Sequence, residues 1–177
     1  YTIENLLFML TQNFLKINDI QMHYVAKGEG ELLIMLHGFP EFWYSWRKQI
    51  PALSPYYKVV APDLRGYNKS DAPSQIKDYK IETLASDIKE LIKKLGYEKA
   101  NIVAHDWGAG IAWYLAAFYP EVVGKLVILN MPVTHELRKQ LLRNAKQRKR
   151  SWYMYFFQVP ILPELLFMLN PKKNFRQ

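Results

Sequence analysis

The stretch that most constrains this chain is Asn101-Ile102-Val103-Ala104-His105-Asp106-Trp107-Gly108-Ala109-Gly110, where a β-branched run gives way abruptly to small residues around one carboxylate. β-Branched residues favour a pleated strand, whereas small ones permit a tight turn and close approach of the following backbone. The pattern predicts a strand, a sharp turn with Asp106 at its apex, and a helix beginning at Trp107. Small-x-acid-x-small is the spacing of a nucleophile elbow, in which the turn exposes the central side chain. A carboxylate at such an apex lies beside the first amides of a helix, which favour negative charge and keep it ionised as a nucleophile. An Asp in this place also meets the ordinary demand for a helix N-cap, which involves no chemistry. On this stretch alone both readings of Asp106 stay open.

Length and composition narrow the classes. A chain of 177 residues suffices for one sizeable core. Its 50% hydrophobic and 23% charged residues are the balance of a globular protein, and with no Cys it has no disulfide, thiolate zinc site or cysteine nucleophile. Nothing points to an oxidising compartment, so the cytoplasm is expected. The net charge of +8 would suit a nucleic acid or membrane surface, but much of it comes from Arg138, Lys139, Arg143, Lys146, Arg148, Lys149 and Arg150. Leu137, Leu141 and Leu142 recur among them at helical spacing, so the segment is expected to be a helix with a solvated basic face. No zinc-finger, helix-turn-helix or ribonucleoprotein signature accompanies it, and no nucleic-acid partner is expected. The apolar run at 6–10 lacks a basic flank and is too short to span a bilayer, so no membrane span is expected.

In chain order, 14–19 and 20–26 are expected to form an antiparallel strand pair at a sheet edge, and the apolar run 32–36 a strand covered on both faces. The latter ends in His37-Gly38-Phe39-Pro40, where Gly38 and Pro40 fix the backbone so that the Phe39 amide is aimed into a pocket, as an oxyanion hole requires. His37 is expected to brace this loop. A helix is expected over 45–53, a buried strand over 58–61, and then a turn-rich loop that Asp63 and Arg65 brace by a salt bridge. Leu84, Ala85, Ile88, Leu91, Ile92 and Leu95 mark an amphipathic helix closed by Gly96. A second helix over 107–119 and a buried strand over 125–129 complete an alternating pattern, which implies a mostly parallel sheet flanked by helices. Ligands bind such sheets beyond the carboxyl ends of the strands, where His37, Asp63, Asp106 and Asn130 all fall. From 134 the character is helical: the basic helix, the aromatic run Ser151-Trp152-Tyr153-Met154-Tyr155-Phe156-Phe157, and a last apolar helix over 164–169. That aromatic stripe packs a core or roofs a pocket.

With His37-Gly38-Phe39-Pro40, Asp63-Leu64-Arg65-Gly66-Tyr67, His105-Asp106-Trp107-Gly108 and Ser151-Trp152-Tyr153 in this order, the chain resembles the α/β-hydrolase superfamily, and within it the soluble epoxide hydrolases. The resemblance implies an α/β-hydrolase core over 1–133 and the beginning of a helical cap over 134–177. It implies that Asp106 attacks an epoxide carbon to form an alkyl-enzyme ester, that Tyr153 protonates the opening oxygen, and that the Phe39 and Trp107 amides hold the oxyanion while water releases a vicinal diol. His37, Trp107, Tyr155 and Phe156 are implied to line the pocket. No cofactor and no metal are expected; the partners are a small epoxide and water. The alternatives are a haloalkane or haloacid dehalogenase and a non-catalytic relative that binds through its cap. Phe39 offers no side-chain donor to a halide, and Trp107 stands where fluoroacetate dehalogenases commonly have Arg, so the epoxide is favoured. Ala104 and Asn68 replace glycines of the family pattern; Ala is small and Asn tolerates left-handed backbone. The implied mechanism also needs a histidine base and an acid partner after the cap. His23, His37, His105 and His135 do not match that place, so the 177-residue chain alone is expected not to turn over.

Overall fold

The structure, a computed structural model, describes residues 10–159, 161–163 and 165. The run at 6–9 and most of the helix expected over 164–169 lie outside the described residues. The chain divides into two compact units, one ending at Pro132 and the other beginning at Val133.

The first unit is a six-stranded sheet in the order β1-β2-β4-β3-β5-β6, with β1 Thr11–Ile17, β2 Ile20–Lys27, β3 Leu32–Leu36, β4 Lys58–Pro62, β5 Ala100–His105 and β6 Val123–Leu129. β1 and β2 form the expected antiparallel edge hairpin, in register Ile17↔Ile20, while β4, β3, β5 and β6 run parallel. All five residues of β3 are buried, because the strand is covered on both faces. Ile34 and Leu36 face a layer that includes Ile88, Leu91, Ala109 and Ala112, from helices α2 (Ile81–Lys94) and α3 (Trp107–Phe118). Leu33 and Met35 point the other way, onto Trp46 and Ile50. α2 follows the three-and-four spacing of its apolar residues, and Gly96 takes the left-handed φ of +85° that ends it.

Three expectations need correction here. The helix expected over 45–53 is a 3-10 turn, Trp43–Trp46, followed by a short helix α1, Gln49–Leu53. Pro51 lacks an amide hydrogen and so is tolerated only near a helix start, which suits the short α1. The strand expected to be buried over 125–129 is not: among the described residues β6 pairs with β5 alone, and Val127 and Leu129 are exposed. Arg65 does not pair with Asp63. Its guanidinium is filled bidentately by Asp87 of α2 at 2.7 and 2.9 Å and by Asp19 at 2.6 and 3.1 Å. Asp63 instead accepts from the Trp43 amide at 3.0 Å and Asn68 Nδ2 at 2.7 Å, and lies 2.6 Å from His23 Nδ1.

In the second unit the basic segment is two helices rather than one, α4 Thr134–Arg143 and α5 Ala145–Arg150, followed by α6 Trp152–Phe156. The break is at Asn144, whose extended backbone ends α4 and whose side chain accepts from the Lys146 and Gln147 amides to cap α5. Leu137 and Leu141 are half-buried as their i, i+4 spacing requires, but Leu142 is 70% exposed, one residue off that row.

Candidate active site

Strand β5 delivers Asp106 to the carboxyl end of the sheet and α3 leaves at once. The turn between them puts Asp106 at φ 48°, ψ −119°. This is strained backbone for a non-glycine residue, costing on the order of 1–3 kcal/mol, and it is the geometry that lifts a side chain off a strand-to-helix corner. The Asp106 amide donates to Leu129 O at 3.4 Å and its carbonyl accepts from Ala109 at 2.9 Å, which fixes the corner.

Two glycines make the corner possible. A Cβ on Gly108 would lie 2.6 Å from His37 O and 2.7 Å from Leu36 O, so the first turn of α3 packs directly on the β3 backbone. A Cβ on Gly38 would lie 2.5 Å from Asp106 Cβ. Gly108 therefore carries the closest approach of α3 to the sheet.

The Asp106 side chain makes no capping hydrogen bond to α3. It turns instead across the strand ends, where Oδ1 accepts from the Phe39 amide at 3.1 Å. Helix capping thus does not account for this carboxylate. Trp107 opens α3, so its amide is one of the N-terminal groups without an intrahelical partner, and its side chain is 58% exposed. Phe39, at 38%, is also exposed. In the second unit Tyr153 and Tyr155 are exposed and Phe156 is half-buried, packed on Trp152 at 5.7 Å.

His37 is fully buried, with Nδ1 2.9 Å from Gly38 O and Nε2 accepting from the Leu64 amide at 3.0 Å. Burial holds its pKa below the ordinary value, so the ring is neutral and both nitrogens serve the backbone. Its contribution to the site is the shape of the loop. His105 is turned away from the carboxylate beside it: Nδ1 is 3.2 Å from Glu41 Oε2 and Nε2 is 3.3 Å from Asn130 Nδ2.

The family model described as alpha/beta hydrolase fold matches residues 31–170. This chain belongs to the α/β-hydrolase fold family. Epoxide hydrolase 4 of Mus musculus is 46% identical over 167 residues, which are 92% of this chain and 46% of that protein. The AB hydrolase superfamily protein YfhM of Bacillus subtilis (strain 168) is 44% identical over 85% of this chain and 54% of its own length. The Bacillus megaterium epoxide hydrolase in complex with an inhibitor matches with a TM-score of 0.84 and 42% identity, over 90% of this chain and 55% of that one. This α/β-hydrolase chain spans about half the length of the curated relatives it matches.

Two residues that the sequence did not single out border the Asp106 corner. Glu41 accepts from the Gly38 amide at 3.1 Å and meets His105, tying the Phe39 loop to the residue before Asp106. Burial pushes the Glu41 carboxyl up, but these hydrogen bonds outweigh it and leave the pKa below the ordinary value. Tyr67 lies edge-on to His37 at 4.9 Å; burial, then the Asp106 charge, push its phenol up to about 12. A carboxylate directly following His37-Gly38-Phe39-Pro40 was the available signal for Glu41. The aromatic after Gly66 was the one for Tyr67.

Proposed function

We propose that this chain carries the nucleophile half of an epoxide-opening hydrolase. The observation that carries the reading is the Asp106 carboxylate on a strained strand-to-helix corner, turned away from helix capping and held by the Phe39 amide. With Oδ1 fixed by that amide, Oδ2 attacks a ring carbon. The carbon–oxygen bond breaks and the departing oxygen takes a proton from a phenol, the role that the family resemblance gives to Tyr153, leaving a hydroxyalkyl ester on Asp106. Water then adds to the ester carbonyl, the Phe39 and Trp107 amides stabilise the resulting oxyanion, and its collapse expels the alkoxide, which takes the proton lost by water to give a vicinal diol, while the acid proton left on Asp106 restores the phenol. The relatives named as epoxide hydrolases support this choice of substrate over a haloalkane.

Ester hydrolysis needs a base to take a proton from water. In the first unit, His37 and His105 have both ring nitrogens engaged and His23 is buried against Asp63. On the described histidines of the first unit the reaction is therefore expected to stop at the ester. Intact-mass measurement after incubation with styrene oxide is expected to show one adduct on the folded wild type and none on Asp106→Asn. A folded wild-type sample without an Asp106-dependent adduct overturns the reading, and halide release from a haloalkane in its place selects the dehalogenase.

A further inference from the structure

We propose that the second unit carries a docking surface for anionic lipid bilayers, made of the basic residues of α4 and α5 with Leu142 and Trp152 as its apolar contacts. The proposal goes beyond the epoxide chemistry and does not depend on it. Residues 137–163 contain no Asp or Glu, and the seven cations from Arg138 to Arg150 are all exposed. Among the described residues only Lys139 of these seven has a carboxylate partner, Glu136 at 3.5 Å. The remaining six are not balanced by acidic side chains, which is unlike a face laced with salt bridges for solubility.

Geometry joins the two short helices into one surface. Arg148 Nη1 donates to Leu142 O at 2.9 Å and Leu141 O at 3.4 Å, so α5 is fastened to the carbonyl end of α4. Leu142 is 70% exposed between Arg138 and Lys139 on one side and Arg143 on the other in sequence, and Trp152, immediately beyond α5, is 62% exposed. Either alone is unremarkable. A leucine among cations that mostly lack acidic partners, with a tryptophan directly after them, matches the interface of a negatively charged bilayer: the cations meet the headgroups, the indole sits at headgroup depth, and the leucine enters the acyl boundary. A nucleic acid uses the cations but gains nothing from an exposed aliphatic side chain, and the bilayer is favoured for that reason.

The test is co-sedimentation of the full chain with vesicles of phosphatidylcholine, with and without phosphatidylserine. Binding is expected only to the vesicles that contain phosphatidylserine and is expected to be lost in high salt, because exposed charges are screened. Each cation near such a surface strengthens partitioning about fivefold, so R143E/K146E/K149E is expected to weaken it by at least about a hundredfold. Leu142→Ser is expected to weaken it without removing the salt dependence. Failure of the wild type to bind phosphatidylserine vesicles, equal binding to neutral vesicles, or binding insensitive to salt each overturns the proposal. A salt-sensitive complex with duplex RNA in the absence of vesicle binding overturns it in favour of a nucleic-acid surface.

Discussion

Gly38 lies against Asp106 so closely that a Cβ on it would stand 2.5 Å from Asp106 Cβ and 2.9 Å from Oδ1. The residue before the Phe39 amide and the carboxylate that this amide holds are thus packed face to face, across 68 positions of sequence. Gly38 is there because any side chain would occupy the carboxylate's place.

Gly38→Ala is expected to leave the fold in place and displace the carboxylate. A misplacement near 1 Å at a reacting group costs roughly a hundredfold in rate. The rate of adduct formation with styrene oxide, followed by intact mass, is expected to fall by about that factor while the far-ultraviolet circular dichroism is unchanged. An unaltered rate would show that Asp106 does not need the contact.

The glycines of α3 divide sharply. Gly108→Ala pushes a methyl group into the Leu36 and His37 carbonyls, rigid atoms of a buried strand end, and is expected to cost about 3 kcal/mol. Gly110 is two residues further along the same helix, and a Cβ there would meet only the tip of Met131 at 3.8 Å. Gly110→Ala is therefore expected to be neutral or to stabilise by up to about 1 kcal/mol, through helix propensity. Urea denaturation of the two variants checks both signs.

Why some of this was legible in the sequence and some was not follows from how local each cause is. The elbow, the buried strand β3 and the helix α2 are written in spacing and composition within a dozen residues. The left-handed backbone at Asn68, whose φ is 47°, came instead from the family resemblance, through the glycine that Asn68 replaces. The burial of β6 is not so written, because an apolar strand reads alike whether it has one neighbour or two, and among the described residues β6 pairs with β5 alone. The partners of Arg65 are 22 and 46 positions away, beyond any local pattern, whereas Asp63 was merely near in sequence. Glu41 acquires its meaning only when β5 brings His105 within 3.2 Å of it.

The two carboxylates on Arg65 are expected to differ in weight. The Arg65 and Asp87 side chains are 0% and 1% exposed, whereas Asp19 is 62% exposed. Asp87→Ala leaves a buried guanidinium short of its inner partner and is expected to cost about 3–5 kcal/mol. Asp19→Ala breaks a solvent-screened pair and is expected to cost about 1 kcal/mol or less. Equal losses in urea denaturation would mean that both pairs are screened alike.

His37 makes stability depend on pH in a window of its own. Its ordinary value is 6.5, and burial lowers it in the folded chain. Between the lowered value and 6.5 the unfolded chain binds a proton that the folded chain refuses. Stability is therefore complete above that interval and declines as the pH falls through it, by up to about 1.4 kcal/mol per pH unit. Glu41, whose folded value is lowered from 4.5, weakens the fold only at more acid pH, so the two effects separate. Gln at position 37 can donate to Gly38 O and accept from the Leu64 amide without titrating. His37→Gln is expected to flatten the decline in denaturation midpoint between about pH 7 and about pH 5, while keeping the loss below the carboxylate range. An unchanged slope in that variant would assign the decline to another histidine.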